Sequence, residues 1–487
     1  MNTDLKDRIL EIIASAPADR SNWIEANTQN SGIQRRAFMK AKMHLDNFIK
    51  TPSNNNWLIM PGLRGIGKTT ILTQLYNQTP SPNNRKFFIS LERVSLIGGS
   101  MEDVIDVIEE VAGEKLDSID EPIYIYLDEV QYLDNWSLSL KTVFDRTRKI
   151  FIACTGSSAI ALQTNPDIAR RSLKIPIHPL CFTEYVMIRQ STEGLRNITF
   201  PDTGLAKELK KILFDSANEQ EVYIGIQNLR LRISNYWRRL DDRQSYVNDY
   251  VKFGTLPFTL HDTAETIRWQ KINALLTESL ARDVDSTEKF DSATRSMFPR
   301  LLFLLASSDV ISHANIASTL NINVRTLISM LDTLVKTEII HPILPRGSAY
   351  KQVSQPIKYL FTSPAIRTAI CTSGGILGEE RASHLRGRLL EDVVGMYLKR
   401  IFNPSETPAI VEYDYGSGGA DFIVSRTGQK GNSIAIEVGV KKRTAQQTHT
   451  TLKRIDAKYG LVISGANLSI DSSKKSVFVP FEPFLLT

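Results

Sequence analysis

Cysteine is the scarcest residue in the chain. Three are spread over 487 residues, at Cys154, Cys181 and Cys371. None forms a CxxC pair and an odd number cannot pair completely, which argues against a disulfide framework and against a cysteine-held zinc site. Long apolar runs are missing as well: nothing approaches the roughly 18 residues that a membrane-spanning helix needs. The polar start Met1-Asn2-Thr3-Asp4-Leu5-Lys6-Asp7 has no apolar signal core. These absences set the expectation of a reducing, cytoplasmic environment and no membrane contact. Charge of one sign is also in short supply. With 59 Lys and Arg against 53 Asp and Glu the net charge is +6, which permits nucleic acid as a partner without demanding it. A hydrophobic content of 42% and a charged content of 23% are ordinary for globular proteins. At roughly 150 residues per domain the length predicts about three domains.

Against that plain background one stretch stands out, Pro61-Gly62-Leu63-Arg64-Gly65-Ile66-Gly67-Lys68-Thr69-Thr70. It follows the apolar run Trp57-Leu58-Ile59-Met60 and precedes a periodic apolar segment, so it reads as a loop between a buried strand and a helix. Gly62, four residues, then Gly67-Lys68-Thr69 satisfies GxxxxGK[ST]. Glycines (Gly62, Gly65, Gly67) let backbone N–H groups turn inward around a triphosphate, and the helix N-terminus adds its positive dipole end. Lys68 would reach the β and γ phosphates of ATP, Thr69 would hold Mg²⁺, and Thr70 completes the phosphate-binding turn. A glycine turn with a surface lysine is the plainer reading, and the strand-loop-helix context speaks against it.

A second signal is Pro122-Ile123-Tyr124-Ile125-Tyr126-Leu127-Asp128-Glu129, an apolar strand ending in two carboxylates. A central parallel strand buried on both faces has this composition, and its carboxyl end opens on the ligand crevice. Asp128 is then placed to hold Mg²⁺ and Glu129 to polarise the attacking water. Strands expected at 57–60, 86–91, 123–128, 150–155 and 173–177 alternate with helices, which predicts a parallel α/β sheet covered on both faces. The fourth strand ends in Thr155-Gly156-Ser157-Ser158, where Thr155 or Ser157 would meet the γ-phosphate or cap the next helix. The pair Arg170-Arg171 closes that helix. It either caps the helix C-terminus or reaches, in trans, a nucleotide held by a neighbouring copy.

The PGLRGIGKTT loop, the LDEVQ strand end, TGSSA and ARRSLKIPIHPLCFTEY together resemble the prokaryotic AAA-type P-loop ATPases that carry a C-terminal restriction-endonuclease-like domain, near the archaeal ATPases of the STAND class. In that family a Gly-Arg pair precedes Pro-Leu-Ser-Phe-x-Glu. Here Arg171 falls on the arginine and Pro179-Leu180-Cys181-Phe182-Thr183-Glu184 on the motif, with Arg170 and Cys181 as departures. The resemblance implies an AAA core and favours Arg171 over Arg170 as the arginine acting in trans within a homo-oligomer.

The rest of the chain reads in segments: 1–50 a helical extension, 51–185 the ATPase core, 186–295 a helical lid, 296–370 a winged helix and 380–487 a nuclease-like α/β domain. In the winged-helix pattern the third helix would present Arg325, Thr326 and Ser329 to duplex DNA, with Arg346 and Lys351 on the wing. Arg325 and Lys336 are the only cations on that helix and Asp332 opposes them, which fits internal packing as well. The Pro-x-x-Tyr strand of the family matches Pro356-Ile357-Lys358-Tyr359-Leu360-Phe361. In the last segment a helical Glu391 and two strand acids, Asp421 and Glu437, resemble the PD-(D/E)xK nuclease core, where the acids would ligate Mg²⁺. Gly439 stands where that family has its lysine. Lys441 lies on the same strand face, about 6.6 Å farther at ~3.3 Å per residue. A nuclease-like platform without activity is the expectation.

Three functions follow: an ATPase switch using Lys68, Thr69, Asp128 and Glu129; an ATP-controlled DNA nuclease of a defence or mobile-element system; and a nucleotide-binding scaffold for a protein partner. The first is favoured.

Overall fold

Four apolar strands and a short fifth pair through their backbones into one sheet. In the computed structural model, which describes residues 3–28, 33–52, 56–116, 118–156, 170–285, 290–308, 310, 312–373, 379–402, 407–426, 431–440 and 444–487, these strands are β1 (Trp57–Pro61), β2 (Lys86–Ser90), β3 (Ile123–Asp128), β4 (Ile150–Gly156) and β5 (Leu173–Lys174). They form one sheet of order β2-β3-β4-β1-β5, parallel throughout. The expected α/β core is therefore present. The fifth strand is shorter than its apolar pattern, although Ile175 and Ile177 still donate backbone hydrogen bonds to Ile59 and Pro61.

Period-two alternation splits these strands between two faces. Ile123, Ile125 and Leu127 join one core with Trp57, Phe87, Ile89 and the helix Met101–Ala112. Tyr124 and Tyr126 face the other way, towards Tyr76 on the helix Lys68–Asn77 and Phe48 on the helix Arg36–Lys50. Ile9, Ile12 and Ile13 of the helix Thr3–Thr28 enter the first of these cores, and the helix runs against β2, the open edge of the sheet. A covered edge cannot recruit another strand.

Where the sequence divides into five segments, contacts divide the chain into two compact units. The first comprises Met1–His178, Ser191–Arg196 and Lys336–Glu338; the second comprises Pro179–Gln190, Asn197–Val335 and Ile339–Thr487. In the second, helices Thr203–Asp215, Glu219–Asn228 and Arg230–Trp237 share one core with a mixed eight-stranded sheet. Its strands are β6 (Ile340–Pro345), β7 (Lys358–Phe361), β8 (Ala409–Tyr413), β9 (Phe422–Arg426), β10 (Ser433–Gly439), β11 (Ala457–Ser464), β12 (Ser469–Asp471) and β13 (Ser476–Pro480), in the order β12-β13-β11-β10-β9-β8-β6-β7.

Helices Phe298–Ser307, His313–Leu320 and Val324–Lys336 precede the antiparallel pair β6 and β7. That hairpin, expected as a free wing, continues into the larger sheet because β6 also pairs with β8. Arg346, expected near DNA phosphates, binds the Glu412 carboxylate at 2.8 Å. The motif at 179–184 has a fastening role. Glu184 is buried and accepts from Arg400 Nη1 at 2.9 Å, while the Phe182 N–H donates to the Tyr397 hydroxyl.

His341, on β6, is fully enclosed, and neither ring nitrogen has a hydrogen-bond partner among the described residues. Burial, with a smaller push from Lys399, drives its pKa down to about 3. The imidazole is neutral in the fold but protonates near 6.5 when unfolded, so the unfolded chain holds the extra proton between those values. The stability contribution is complete above the unfolded value and is lost as pH falls from about 6.5 towards 3, at up to about 1.4 kcal/mol per pH unit. The expected result is a melting temperature whose acid-side slope flattens by one proton in His341→Leu. An unchanged slope would exclude His341 as the group responsible.

Candidate active site

The phosphate loop is a backbone construction that its glycines alone permit. Gly65 and Gly67 have φ of 77° and 88°, in the left-handed region where a side chain costs energy. At Gly62 an added Cβ would lie 2.4 Å from the Ile177 carbonyl oxygen. Gly67 then serves as the N-cap of the helix Lys68–Asn77, so Lys68, Thr69 and Thr70 form its first turn. Arg35 braces the loop from outside: it is buried, its Nη1 donates to the Ile66 carbonyl, and its Nη2 donates to that of His178 at 2.7 Å.

Opposite the loop, parallel register brings Asp128 to the carboxyl end of β3, beside Ser90 of β2 and one step beyond the Leu127–Cys154 pair. Thr69 Oγ1 donates to Asp128 Oδ2 at 2.9 Å, and Thr155 Oγ1 donates to Asp128 Oδ1. The same Thr155 oxygen accepts the Glu129 N–H at 3.2 Å. Thr155 thus ties β3 to β4 and does not point freely into the crevice. Burial, reinforced by the Glu129 charge, holds the Asp128 carboxyl above the usual carboxylate range, against the pull of Thr155, Thr69 and Lys68. A carboxylate so desolvated gains from a nearby cation.

Glu129 adopts φ 55° and ψ 55°, a left-handed backbone unusual for a residue with a side chain. Such conformations cost on the order of 1–3 kcal/mol and cluster at functional sites. Its Oε1 lies 3.8 Å from Lys68 Nζ, and Gln131 Nε2 donates to its Oε2. Lys68 Nζ also donates to the Leu63 carbonyl at 3.3 Å. Lys68, Thr69, Asp128, Glu129 and Thr155 therefore meet in one crevice. The donor set fits a magnesium nucleotide: a glycine loop at a helix N-terminus, one lysine, and a hydroxyl and a carboxylate in contact.

Ser157, proposed beside this crevice, lies outside the described residues. Arg171 is engaged on its own unit: its Nε and Nη2 bind the two oxygens of Asp145 at 2.7 and 3.1 Å. Arg170 is exposed. Sequence reasoning gave no role to Arg35, which sits at no motif spacing, or to Gln131, which closes the LDEVQ strand end without a chemistry that marks it.

A separate charged cluster lies in the second unit. β9 and β10 pair antiparallel with Ile436 opposite Phe422, which sets Asp421 and Glu437 at adjacent strand ends as expected. Asp421 Oδ2 accepts the Val438 N–H at 2.8 Å, and Glu437 is buried. A lysine from another strand reaches this cluster. Lys358, on β7, places Nζ 2.6 Å from Glu391 Oε2 and 3.4 Å from Asp421 Oδ1. Burial alone would push this ammonium down, but the two carboxylates more than reverse that and hold it above its ordinary value. Lys441, the residue expected to stand in for Gly439, lies outside the described residues. Among the described residues no three His, Cys, Asp or Glu side chains are arranged to hold a metal ion. Lys358 occupies oxygens of Glu391 and Asp421, two of the three acids of the expected cluster.

The family model for the AAA domain matches residues 54–186. The uncharacterized protein MJ1637 of Methanocaldococcus jannaschii is 31% identical over 486 residues, covering 99% of this chain and 94% of that protein. The uncharacterized protein MJ1544 of the same organism is 24% identical over 179 residues, 37% of this chain and 39% of that protein. Among solved structures, the Thermotoga maritima RuvB Holliday junction branch migration motor is similar over 65% of this chain and 91% of its own, at 15% identity and a TM-score of 0.29. AMPPCP-bound DnaA from Aquifex aeolicus is similar over 62% and 89%, at 14% identity and a TM-score of 0.28. No described helix is long and apolar enough to cross a membrane. Taken over nearly its whole length, the chain belongs to one family with MJ1637, and its residues 54–186 are an AAA-type P-loop domain.

Proposed function

We propose that the chain binds Mg²⁺-ATP at residues 62–70 and hydrolyses it, the nucleotide state acting as a switch on the second unit. The observation that carries this reading is the 2.9 Å contact between Thr69 Oγ1 and Asp128 Oδ2, which joins the phosphate loop to the end of β3 at the point where a magnesium ion would be shared. Backbone N–H groups of the loop and Lys68 bind the phosphates, while Thr69 and Asp128 hold the metal. Bound Mg²⁺ supplies charge neutralisation at the β and γ phosphates. Glu129 orients the attacking water and takes its proton. Thr155 keeps Asp128 and the Glu129 backbone in register.

In this reading the second unit carries a helical lid, a winged helix and a nuclease-like platform that does not cleave. The Lys358 ammonium on Glu391 and Asp421 supports the last point. Duplex DNA, a protein partner and a second copy of the chain are the partners to be tried.

The test is steady-state ATP hydrolysis with and without duplex DNA, with Lys68→Ala as the blank and Mg²⁺-dependent DNA cleavage assayed in the same tubes. Hydrolysis lost in Lys68→Ala, without cleavage, is the expected result. Cleavage that disappears in Asp421→Ala would make the protein an ATP-controlled nuclease, and ATP binding without turnover would make it a scaffold.

A further inference from the structure

Arg20, on the helix Thr3–Thr28, is out of place as a structural arginine. Its guanidinium makes no hydrogen bond and no ion pair among the described residues, and its Nε is buried. What holds it is aromatic: its Cζ lies 4.5 Å from the Phe88 ring centroid and 5.5 Å from that of Trp23. Stacking of this kind fixes the plane of the group and leaves its five donors unused. The buried Nε–H with nothing to bind is expensive, and interiors seldom keep such a donor without a purpose.

The surroundings supply the purpose. Phe88 is paired with Tyr126 across β2 and β3, and Asp128 lies two residues farther on the same face, about 6.6 Å along at ~3.3 Å per residue. Burial pushes the Arg20 guanidinium below its ordinary value, and the strongest opposing influence is the Asp128 carboxylate. Trp23 Nε1 donates to Thr70 Oγ1 at 3.3 Å, so the helix is docked on the first turn of the phosphate-loop helix. A pre-oriented cation with free donors therefore faces the corner where Thr69 and Asp128 meet.

We propose that Arg20 contacts the terminal phosphate of a bound nucleoside triphosphate, an arginine supplied by the chain's own N-terminal helix. The inference rests on the ATP reading above. A planar guanidinium matches two phosphate oxygens at once, which an ammonium cannot do. It distinguishes a triphosphate from a diphosphate and offsets charge as the phosphoryl group is transferred. Arg171 is already held by Asp145, and with Arg20 in this role hydrolysis needs no arginine from a neighbouring copy.

The test is calorimetric titration of ATP and ADP, each with Mg²⁺, into Glu129→Gln and Glu129→Gln/Arg20→Met. Removing a charge-assisted contact to one phosphate should weaken ATP about tenfold or more and leave ADP within about twofold. Equal weakening of both nucleotides, or none, would overturn the assignment. Should Arg20→Met fail to fold by circular dichroism, Arg20→Lys keeps the charge and stem without the fork. It must still lose several-fold in preference for ATP, and a wild-type preference overturns the assignment. Failure of the chain with Arg20 intact to bind ATP would remove the nucleotide reading as well. Normal ATP binding that Lys68→Ala abolishes and Arg20→Met does not touch removes Arg20 alone.

Discussion

Glu129→Gln is expected to lower kcat for ATP hydrolysis by about 10²- to 10⁴-fold, the range for losing a general base, while ATP still binds. The substitution keeps the size of the side chain and one acceptor oxygen, so Gln131 retains a partner and the left-handed backbone at φ 55° is not asked to change. What disappears is the negative charge 3.8 Å from Lys68 and the capacity to take a proton from water. Losing that charge also removes repulsion of the phosphates, so ATP affinity should hold or rise. A kcat and kcat/KM that fall together mark an interaction made only in the transition state. The check is steady-state kinetics beside a nucleotide titration. Turnover within about threefold of wild type would strip Glu129 of its role and leave its backbone strain without a functional cause.

The parts of this site that were legible in the sequence are those whose chemistry is contiguous. A glycine-rich loop between strand and helix carries its function in ten consecutive residues, and a strand buried on both faces announces its end with Asp128-Glu129. Parallel register then does the rest, since strand ends in a parallel sheet converge on one side. Thr155 was legible as a neighbour but not in its direction, because the hydrogen bond to Asp128 depends on which way the hydroxyl turns.

Residues that act through tertiary placement were not legible. The first fifty residues show only helical spacing, and nothing in it marks Arg20, Trp23 or Arg35 as neighbours of the phosphate loop. Arg20 and Trp23 come there on the helix that covers the β2 edge, and Arg35 at the start of the helix Arg36–Lys50. The nuclease-like cluster teaches the same lesson. Strand periodicity directed attention to Lys441, four residues after Glu437 in the sequence, whereas the ammonium on Glu391 and Asp421 comes from Lys358 on β7. Local spacing is blind to a side chain contributed by another strand. Arg171 looked free because Asp145, its partner, lies on an earlier helix with no spacing rule to connect them.

The largest stability effect is expected at a pair that no motif flags. Arg367 and Asp392 are both fully buried, with Arg367 Nε 2.6 Å from Asp392 Oδ2 and Nη2 2.9 Å from Oδ1. Nη1 donates to the carbonyls of Leu305 and Ala306 at 3.2 and 2.8 Å, and Asp392 Oδ1 accepts the Phe361 N–H at 3.0 Å. Four segments, the helix Phe298–Ser307, β7, the helix Pro364–Ser373 and the helix Glu379–Ile401, are joined through two side chains. Asp392→Ala would leave a guanidinium buried with its counter-charge gone, a loss of about 3–5 kcal/mol. Removing both charges is a different matter, because the desolvation cost of each disappears with it. Arg367→Met/Asp392→Leu should therefore recover at least half of the loss, which makes the coupling between the two sites large and favourable to the double variant. Hydrogen exchange reads this locally: peptides from 298–307, 358–373 and 379–401 should lose protection in Asp392→Ala and regain it in the double variant. A single variant that costs under about 1 kcal/mol would mean that water reaches Arg367 and that the pair is no anchor. A double variant as unstable as the single would instead place the stabilisation in the hydrogen bonds to Leu305, Ala306 and Phe361, which neither Met nor Leu can replace.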